Sequence, residues 1–256
     1  MPARPAPSTE PFLREVRLRE IPSGAEGFPW NTAAVRALLA QPLALHPRCT
    51  FLVGANGSGK STLLEAIAVA AGLGIRSGGR NFGSAEARED EAVLGDAVTL
   101  VRGARRPKTD FFLRAEAMLG FAEALDTMAS EPFGGDALAP YGGVSLHEQS
   151  HGESFLSVIT NRFGPNGLYL LDEPESALSP QSLLALIARI DELCRDGSQF
   201  VIATHSPILL ALPGTSIVEV TEDGLEAVEY DAVEAVQLTR LVLADPEGMM
   251  RRLLDD

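Results

Sequence analysis

Residues 54–61 of this chain read Gly54-Ala55-Asn56-Gly57-Ser58-Gly59-Lys60-Ser61. The apolar stretch Cys49-Thr50-Phe51-Leu52-Val53 stands before the run, and Thr62-Leu63-Leu64-Glu65-Ala66-Ile67-Ala68 follows it. A short apolar segment ahead of a glycine-rich turn predicts a buried strand, and the pattern after the turn predicts an amphipathic helix. Three glycines let the loop curl its backbone N–H groups around a polyphosphate, and the helix start adds the positive end of a dipole. The backbone of Gly54, Ala55, Asn56, Gly57, Ser58, Gly59 and Thr62 is therefore expected to line the phosphates. Lys60 is placed to reach the β- and γ-phosphates, and the Ser61 hydroxyl to hold a Mg²⁺ ion.

With 256 residues and 45% hydrophobic content, the chain can bury one large core. The expected division is a disordered proline-rich tail over residues 1–11 and a single domain over 12–256, carrying a helical subdomain at about 84–163. Strands alternating with helices predict an α/β fold with a largely parallel sheet flanked by helices, plus an antiparallel β portion. The N-terminus, Met1-Pro2-Ala3-Arg4-Pro5-Ala6-Pro7-Ser8, has prolines where a signal peptide carries an apolar segment. The longest apolar helix, Leu63 to Ile75, includes Glu65 and is too short to span a bilayer, so no direct membrane insertion is expected. The two cysteines, Cys49 and Cys194, fall on a strand and a helix with no metal-ligand spacing, which predicts reduced thiols in a cytoplasmic protein.

The net charge of −14 is unevenly spread, at +3 over residues 1–60, −5 over 61–170 and −12 over 171–256. A field of that sign disfavours general attraction to nucleic acid. Arg102, Arg105, Arg106 and Lys108 form the best local basic patch, and a solvated loop explains them equally well.

Along the chain, Leu13 to Ile21 alternates as a half-exposed strand, and Gly72 to Ser84 reads as a glycine-rich loop. Thr109 to Met128 is expected to be helical, as are Gly152 to Phe163 and Pro180 to Arg195. Leu168 to Leu171 and Gln199 to Ala203 read as buried strands. Thr215 to Val220 and Leu225 to Tyr230 form a hairpin around Glu222-Asp223-Gly224, with a helical acidic tail after it.

Leu168-Tyr169-Leu170-Leu171 ends in two acids, Asp172 and Glu173. In isolation such a pair is as often a surface turn. After a phosphate loop, the first acid suits Mg²⁺ and the second suits a general base that polarises an attacking water. Ser150-His151-Gly152-Glu153 opens a helix and offers a second anion site through Ser150 and Gly152. His205 ends the strand Phe200-Val201-Ile202-Ala203, at the reach of a γ-phosphate, although a lone histidine at a strand end is usually structural.

In this order and spacing the chain resembles the ATP-binding-cassette ATPase superfamily over roughly Phe12 to Val220. The matching motifs are a Walker A loop (GANGSGKS), a signature-like SHGE, a Walker B strand (LYLLDE), a D-loop (SALSP) and a switch histidine (ATHS). It looks most like small stand-alone bacterial ATPases, related at a distance to recombination-repair and chromosome-maintenance ATPases. The resemblance implies that two copies sandwich two ATP molecules with Mg²⁺, each between Walker A of one copy and Ser150 and Gly152 of the other. Glu173, His205 and Lys60 would be catalytic, and Ser61 and Asp172 would hold the metal.

Three positions depart from that pattern. His151 stands where transporter cassettes carry glycine, Ser179 stands where the D-loop has aspartate, and no glutamine occurs between Gln41 and Gln149, so the Q-loop glutamine is missing. Arg114 and Glu116 stand at its place and are the candidates to take over its metal or water contact, and Phe28 and Trp30 stand where an aromatic would stack on adenine. The readings that follow are an ATP-gated homodimer switch acting on a protein partner or nucleic acid, a transporter nucleotide-binding subunit, and a small-molecule kinase. The kinase has no evident use for paired acids and a signature.

Overall fold

The computed structural model describes residues 10–74, 89–131 and 136–254. Nine strands and nine helices are found among them, in the order β1 (Leu13–Leu18), α1 (Ala33–Ala40), β2 (Leu43–Ala44), β3 (Cys49–Val53), α2 (Lys60–Ala71), α3 (Glu89–Ala97), β4 (Val98–Arg102), β5 (Thr109–Arg114), α4 (Met118–Ser130), α5 (His151–Arg162), β6 (Gly167–Asp172), α6 (Pro180–Arg195), β7 (Gln199–Ala203), α7 (Pro207–Leu210), β8 (Ser216–Val220), β9 (Leu225–Val228), α8 (Glu234–Ala244) and α9 (Pro246–Leu254). They build a six-stranded sheet in the order β5-β6-β7-β3-β8-β9 and a three-stranded sheet in the order β2-β1-β4. The large sheet is parallel from β5 to β8 and antiparallel at the β8–β9 hairpin. The small sheet is antiparallel throughout.

The central strands are buried on both faces because their side chains alternate between two cores. Phe51, Phe111, Leu113, Tyr169, Leu171, Phe200 and Ile202 enter the core beneath α4, α5 and α6. Their sequence neighbours Leu52, Phe112, Leu170 and Val201 enter the core shared with α1, α2 and β1. Gln199 fastens the two sheets together. Its side-chain oxygen accepts from the backbone of Phe12 and Leu13, both at 2.9 Å, and its amide donates to the carbonyls of Leu13 at 2.8 Å and His46 at 3.1 Å. A buried glutamine with its polar atoms so satisfied adds direction to an otherwise apolar seam.

Two local expectations need correction. Thr109 to Met128 is not one helix, since Thr109–Arg114 pairs with β6 as an outer strand and α4 begins only at Met118. Phe111, Phe112 and Leu113 are all fully buried, and a short apolar run buried on both faces has no periodicity to tell it from a helix. Val98–Arg102, inside the stretch expected to be helical, is likewise a strand and pairs with β1. At the other end, residues 1–9 of the expected tail lie outside the described residues, whereas Glu10 pairs with Arg14 at 2.9 Å. Residues 75–84 of the expected glycine-rich loop are also outside them.

Candidate active site

The loop between β3 and α2 is shaped by close contacts. Gly54 has φ 136°, and a Cβ there would lie 2.5 Å from the Val220 carbonyl oxygen. Gly59 has φ 94°, and its Cβ would meet the Thr32 side chain at 2.9 Å. Larger residues at either position would be strained and would collide with neighbours. Gly59 caps α2 without any side-chain bond, so the N–H groups of the first turn stay open to a ligand. On the outside, α1 braces the loop through Ala34 N–H to the Ser58 carbonyl at 2.8 Å. The Ser58 hydroxyl is buried in the loop with no hydrogen-bond partner.

Lys60 is buried, and its Nζ donates to the carbonyls of Gly54 and Ala55, both at 2.9 Å. Burial pulls its pKa down, while the carboxylates of Glu173, Asp172 and Glu175 oppose that pull. The loop opens on a cavity of about 920 Å³ whose walls include Phe28, Thr32, Arg36, Glu173 and Thr221. Trp30, the other candidate for stacking on a base, is instead buried in the core.

Asp172 ends β6 with a side chain only 3% exposed. Its Oδ1 accepts from the Ser61 hydroxyl at 2.9 Å, and its Oδ2 faces Arg114 Nε at 3.3 Å. Burial raises the Asp172 pKa to about 6, with Arg114 and the Ser61 hydrogen bond holding it from rising further. Among the described residues no cluster of three or more His, Cys, Asp or Glu side chains forms a metal cage. A hydroxyl touching one carboxylate still fits Mg²⁺, which usually keeps several waters and takes phosphate oxygens rather than an all-protein cage.

Glu173 has φ 45° and ψ 52°, a left-handed conformation rare outside glycine, and its N–H donates to the Ala203 carbonyl at 3.0 Å. Such strain, worth of order 1–3 kcal/mol, is held by surrounding structure and clusters at functional sites. The carboxylate reaches the cavity, 3.8 Å from His205 Nε2. That nitrogen is buried without a hydrogen bond. Burial and then the Lys60 charge lower the His205 pKa, so the ring is held neutral near pH 7. Glu175 fixes the histidine's backbone: its Oε1 accepts from Thr204 Oγ1 at 2.8 Å and from His205 N–H at 2.5 Å. Sequence reasoning passed over Glu175, although a third acid beside Asp172 and Glu173 was a visible signal.

The structure brings Lys60, Ser61, Asp172, Glu173 and His205 together and leaves Ser150 and Gly152 apart. Ser150 and Gly152 sit at the start of α5, outside the cavity walls. Gly152 lies against the loop after Glu173, where a Cβ would be 3.1 Å from the Ala177 carbonyl. Ser179, at the D-loop position of aspartate, caps α6 by accepting from Ser182 N–H at 3.2 Å. The basic patch is partly structural. Arg105 donates to Glu10, Asn166 and Gly197 and lies 4.6 Å over the Phe12 ring, and Arg102 donates to the Ala70 carbonyl at 3.4 Å.

The family model described as "AAA domain, putative AbiEii toxin, Type IV TA system" matches residues 49–116 and 141–211, more than half of the chain. The chain belongs to this family of ABC-type P-loop ATPases. The matched segments carry the phosphate loop, Arg114, the start of α5, both acids and His205. Among curated proteins, this ABC-type ATPase is 30% identical over 166 residues to the cytochrome c biogenesis ATP-binding export protein CcmA of Mesorhizobium japonicum, covering 61% of this chain and 78% of that one. It is 28% identical over 264 residues to the macrolide export ATP-binding/permease protein MacB of Rhodopseudomonas palustris, covering 95% of this chain but 38% of that one. Among solved structures, an inward-facing metal-chelate type ABC transporter described as putative matches with a TM-score of 0.50 at 14% identity, covering 93% of this chain and 90% of that one. That likeness extends to the fold. No helix among the described residues is long and apolar enough to cross a membrane.

Proposed function

We propose that this chain binds ATP with Mg²⁺ in the cavity ahead of α2 and hydrolyses its β–γ phosphoanhydride, and that the cycle closes and opens a homodimer in the cytoplasm. The observation that carries the reading is that an uncapped helix start, a buried lysine and Glu173 meet at one cavity, with Asp172 bonded to Ser61 and His205 3.8 Å from Glu173 beside it. On binding, Lys60 would exchange the Gly54 and Ala55 carbonyls for β- and γ-phosphate oxygens, and the Ser58 hydroxyl would gain a partner. Ser61 and Asp172 would hold Mg²⁺, which when bound neutralises charge developing on the phosphates. Glu173 would take a proton from the water as its oxygen attacks the γ-phosphorus and the bond to the bridging oxygen breaks, releasing ADP. His205 would hydrogen-bond the γ-phosphate through Nε2.

Ser150, exposed, and Gly152, half-buried, lie outside the walls of their own chain's cavity and would complete the partner copy's site. The readout of the cycle is proposed to be a protein partner, because two of the four arginines and lysines in the basic patch are engaged within the fold. A second reading, the nucleotide-binding subunit of a transporter, is favoured by the export functions in the names of CcmA and MacB. Against it stands Arg114 at the place of the Q-loop glutamine. The deciding experiment is affinity capture with the Glu173→Gln protein held in ATP. A soluble partner retained only with ATP supports the switch, and a membrane permease retained instead supports the transporter.

A further inference from the structure

Arg114 ends β5 directly beside Asp172, its register partner on β6. Its guanidinium is shared among three carboxylates: Nε faces Asp172 Oδ2 at 3.3 Å, Nη1 pairs with Glu65, and Nη2 lies 3.6 Å from Glu116. Glu65 and Asp172 are both buried, at 7% and 3% side-chain exposure, so each requires a nearby cation to remain ionised. Glu65 follows Ser61 by one turn on the same face of α2. The guanidinium therefore links Glu65 to Asp172 and, through Asp172, to Ser61 at the end of the cavity where the phosphates and metal are expected. A planar five-donor fork can hold two or three carboxylates in fixed directions at once, whereas lysine offers a compact point charge and glutamine no charge. One cation against three carboxylates still leaves the cluster anionic, so a divalent ion remains welcome there.

We propose that Arg114 is a built-in cation at the metal end of the phosphate site, occupying one face of Asp172 until a divalent ion arrives and reducing the advantage that ion gives to ATP binding. The inference rests on the reading of the cavity as an ATP site. With Arg114 present, the metal shares Asp172 with a charge already in place, and metal-free ATP meets a nearby guanidinium. With a neutral side chain both effects vanish, and both raise the dependence of ATP binding on metal.

The test is the ratio of the ATP dissociation constant in EDTA to that in excess Mg²⁺, measured calorimetrically on the full chain and on Arg114→Gln. The ratio should rise about tenfold in the variant, within the usual range of coupling between ligands. A rise of less than about fivefold, no change, or a fall overturns the proposal, since a guanidinium that merely neutralises Glu65 would alter stability and leave the ratio alone. If Arg114→Gln does not fold, the Glu65→Gln/Arg114→Gln protein makes the same comparison without the orphaned Glu65 carboxylate. Failure of the unaltered chain to bind ATP under either condition overturns the ATP-site reading itself, whereas tight ATP binding with an unchanged ratio overturns Arg114 alone.

Discussion

The starts of α2 and α5 are both helix N-termini with an expected role toward phosphate, and they are built in opposite ways. Gly59 leaves the first turn of α2 without a side-chain cap, and Lys60 behind it is buried against the loop's own carbonyls. Ser150 gives α5 a complete capping box: its hydroxyl accepts from Glu153 N–H at 3.4 Å and donates to Glu153 Oε2 at 2.6 Å, and that same oxygen takes the Ser150 N–H at 3.0 Å. These bonds hold the exposed Glu153 carboxyl below its usual pKa, so an anion already stands at that helix end. An open N-terminus is ready for a ligand within one chain. On the proposed reading, a self-satisfied one would exchange its own carboxylate for a phosphate brought by a second copy.

The largest expected effect separates chemistry from binding on the α2 side. Glu173→Gln should slow steady-state ATP hydrolysis about 10²- to 10⁴-fold while leaving ATP affinity intact, because an amide can orient water but cannot accept its proton. A variant that turns over at the native rate removes Glu173 from the reaction. Lys60→Ala should weaken ATP binding roughly ten- to a hundredfold, the cost of losing a charge-assisted contact of about 1.5–3 kcal/mol. Unaltered binding in a calorimetric titration would mean that Lys60 serves only the loop's carbonyls.

Asp172 supplies a prediction on the metal-free fold. Its pKa is raised from 3.8 to about 6, chiefly by burial, with Arg114 and Ser61 opposing and Glu173 and Glu116 adding to the rise. The folded state thus holds this proton more tightly than the unfolded chain. The stabilisation is fully present below the unfolded value and is lost as pH rises through about 6. Asp172→Asn cannot ionise, so in chelator its stability relative to the native chain should improve by about 2 kcal/mol between roughly pH 4 and pH 7.5. Urea denaturation at the two pH values checks this, and a constant difference contradicts it.

The smallest effect is expected at the α5 side. Ser150→Arg places a cation on an exposed cap, so ATP affinity should be unchanged and turnover should fall several-fold. Equal turnover would free the α5 start from any part in hydrolysis and leave the α2 side to act alone.

The same contrast explains what was legible in the sequence. Gly54 to Ser61 could be read directly because each glycine answers a local backbone demand and Lys60 and Ser61 follow in fixed register. Asp172, Glu173 and the β8–β9 hairpin were legible for similar reasons of short-range pattern and turn chemistry. β5 was misread because Phe111, Phe112 and Leu113 serve two cores at once, which only the assembled sheet reveals. Arg114 was legible only as a substitute for the missing glutamine, and its pairing with Glu65 and Asp172 was not, since that pairing joins β5, α2 and β6 across the fold. Glu175 was hidden for the same reason, because its partners Thr204 and His205 lie just after β7, brought beside it by the pairing of β6 and β7.

The central claim is that each chain carries the phosphate-loop half of one ATP site and the α5 half of a second, so that two copies are needed to complete either. Its most direct test is the mass of the Glu173→Gln protein by light scattering after gel filtration, with and without ATP and Mg²⁺. The account predicts a species near the 27.2 kDa chain mass without nucleotide and about twice that with it. A mass that stays at one chain in saturating ATP and Mg²⁺ at high protein concentration would contradict it.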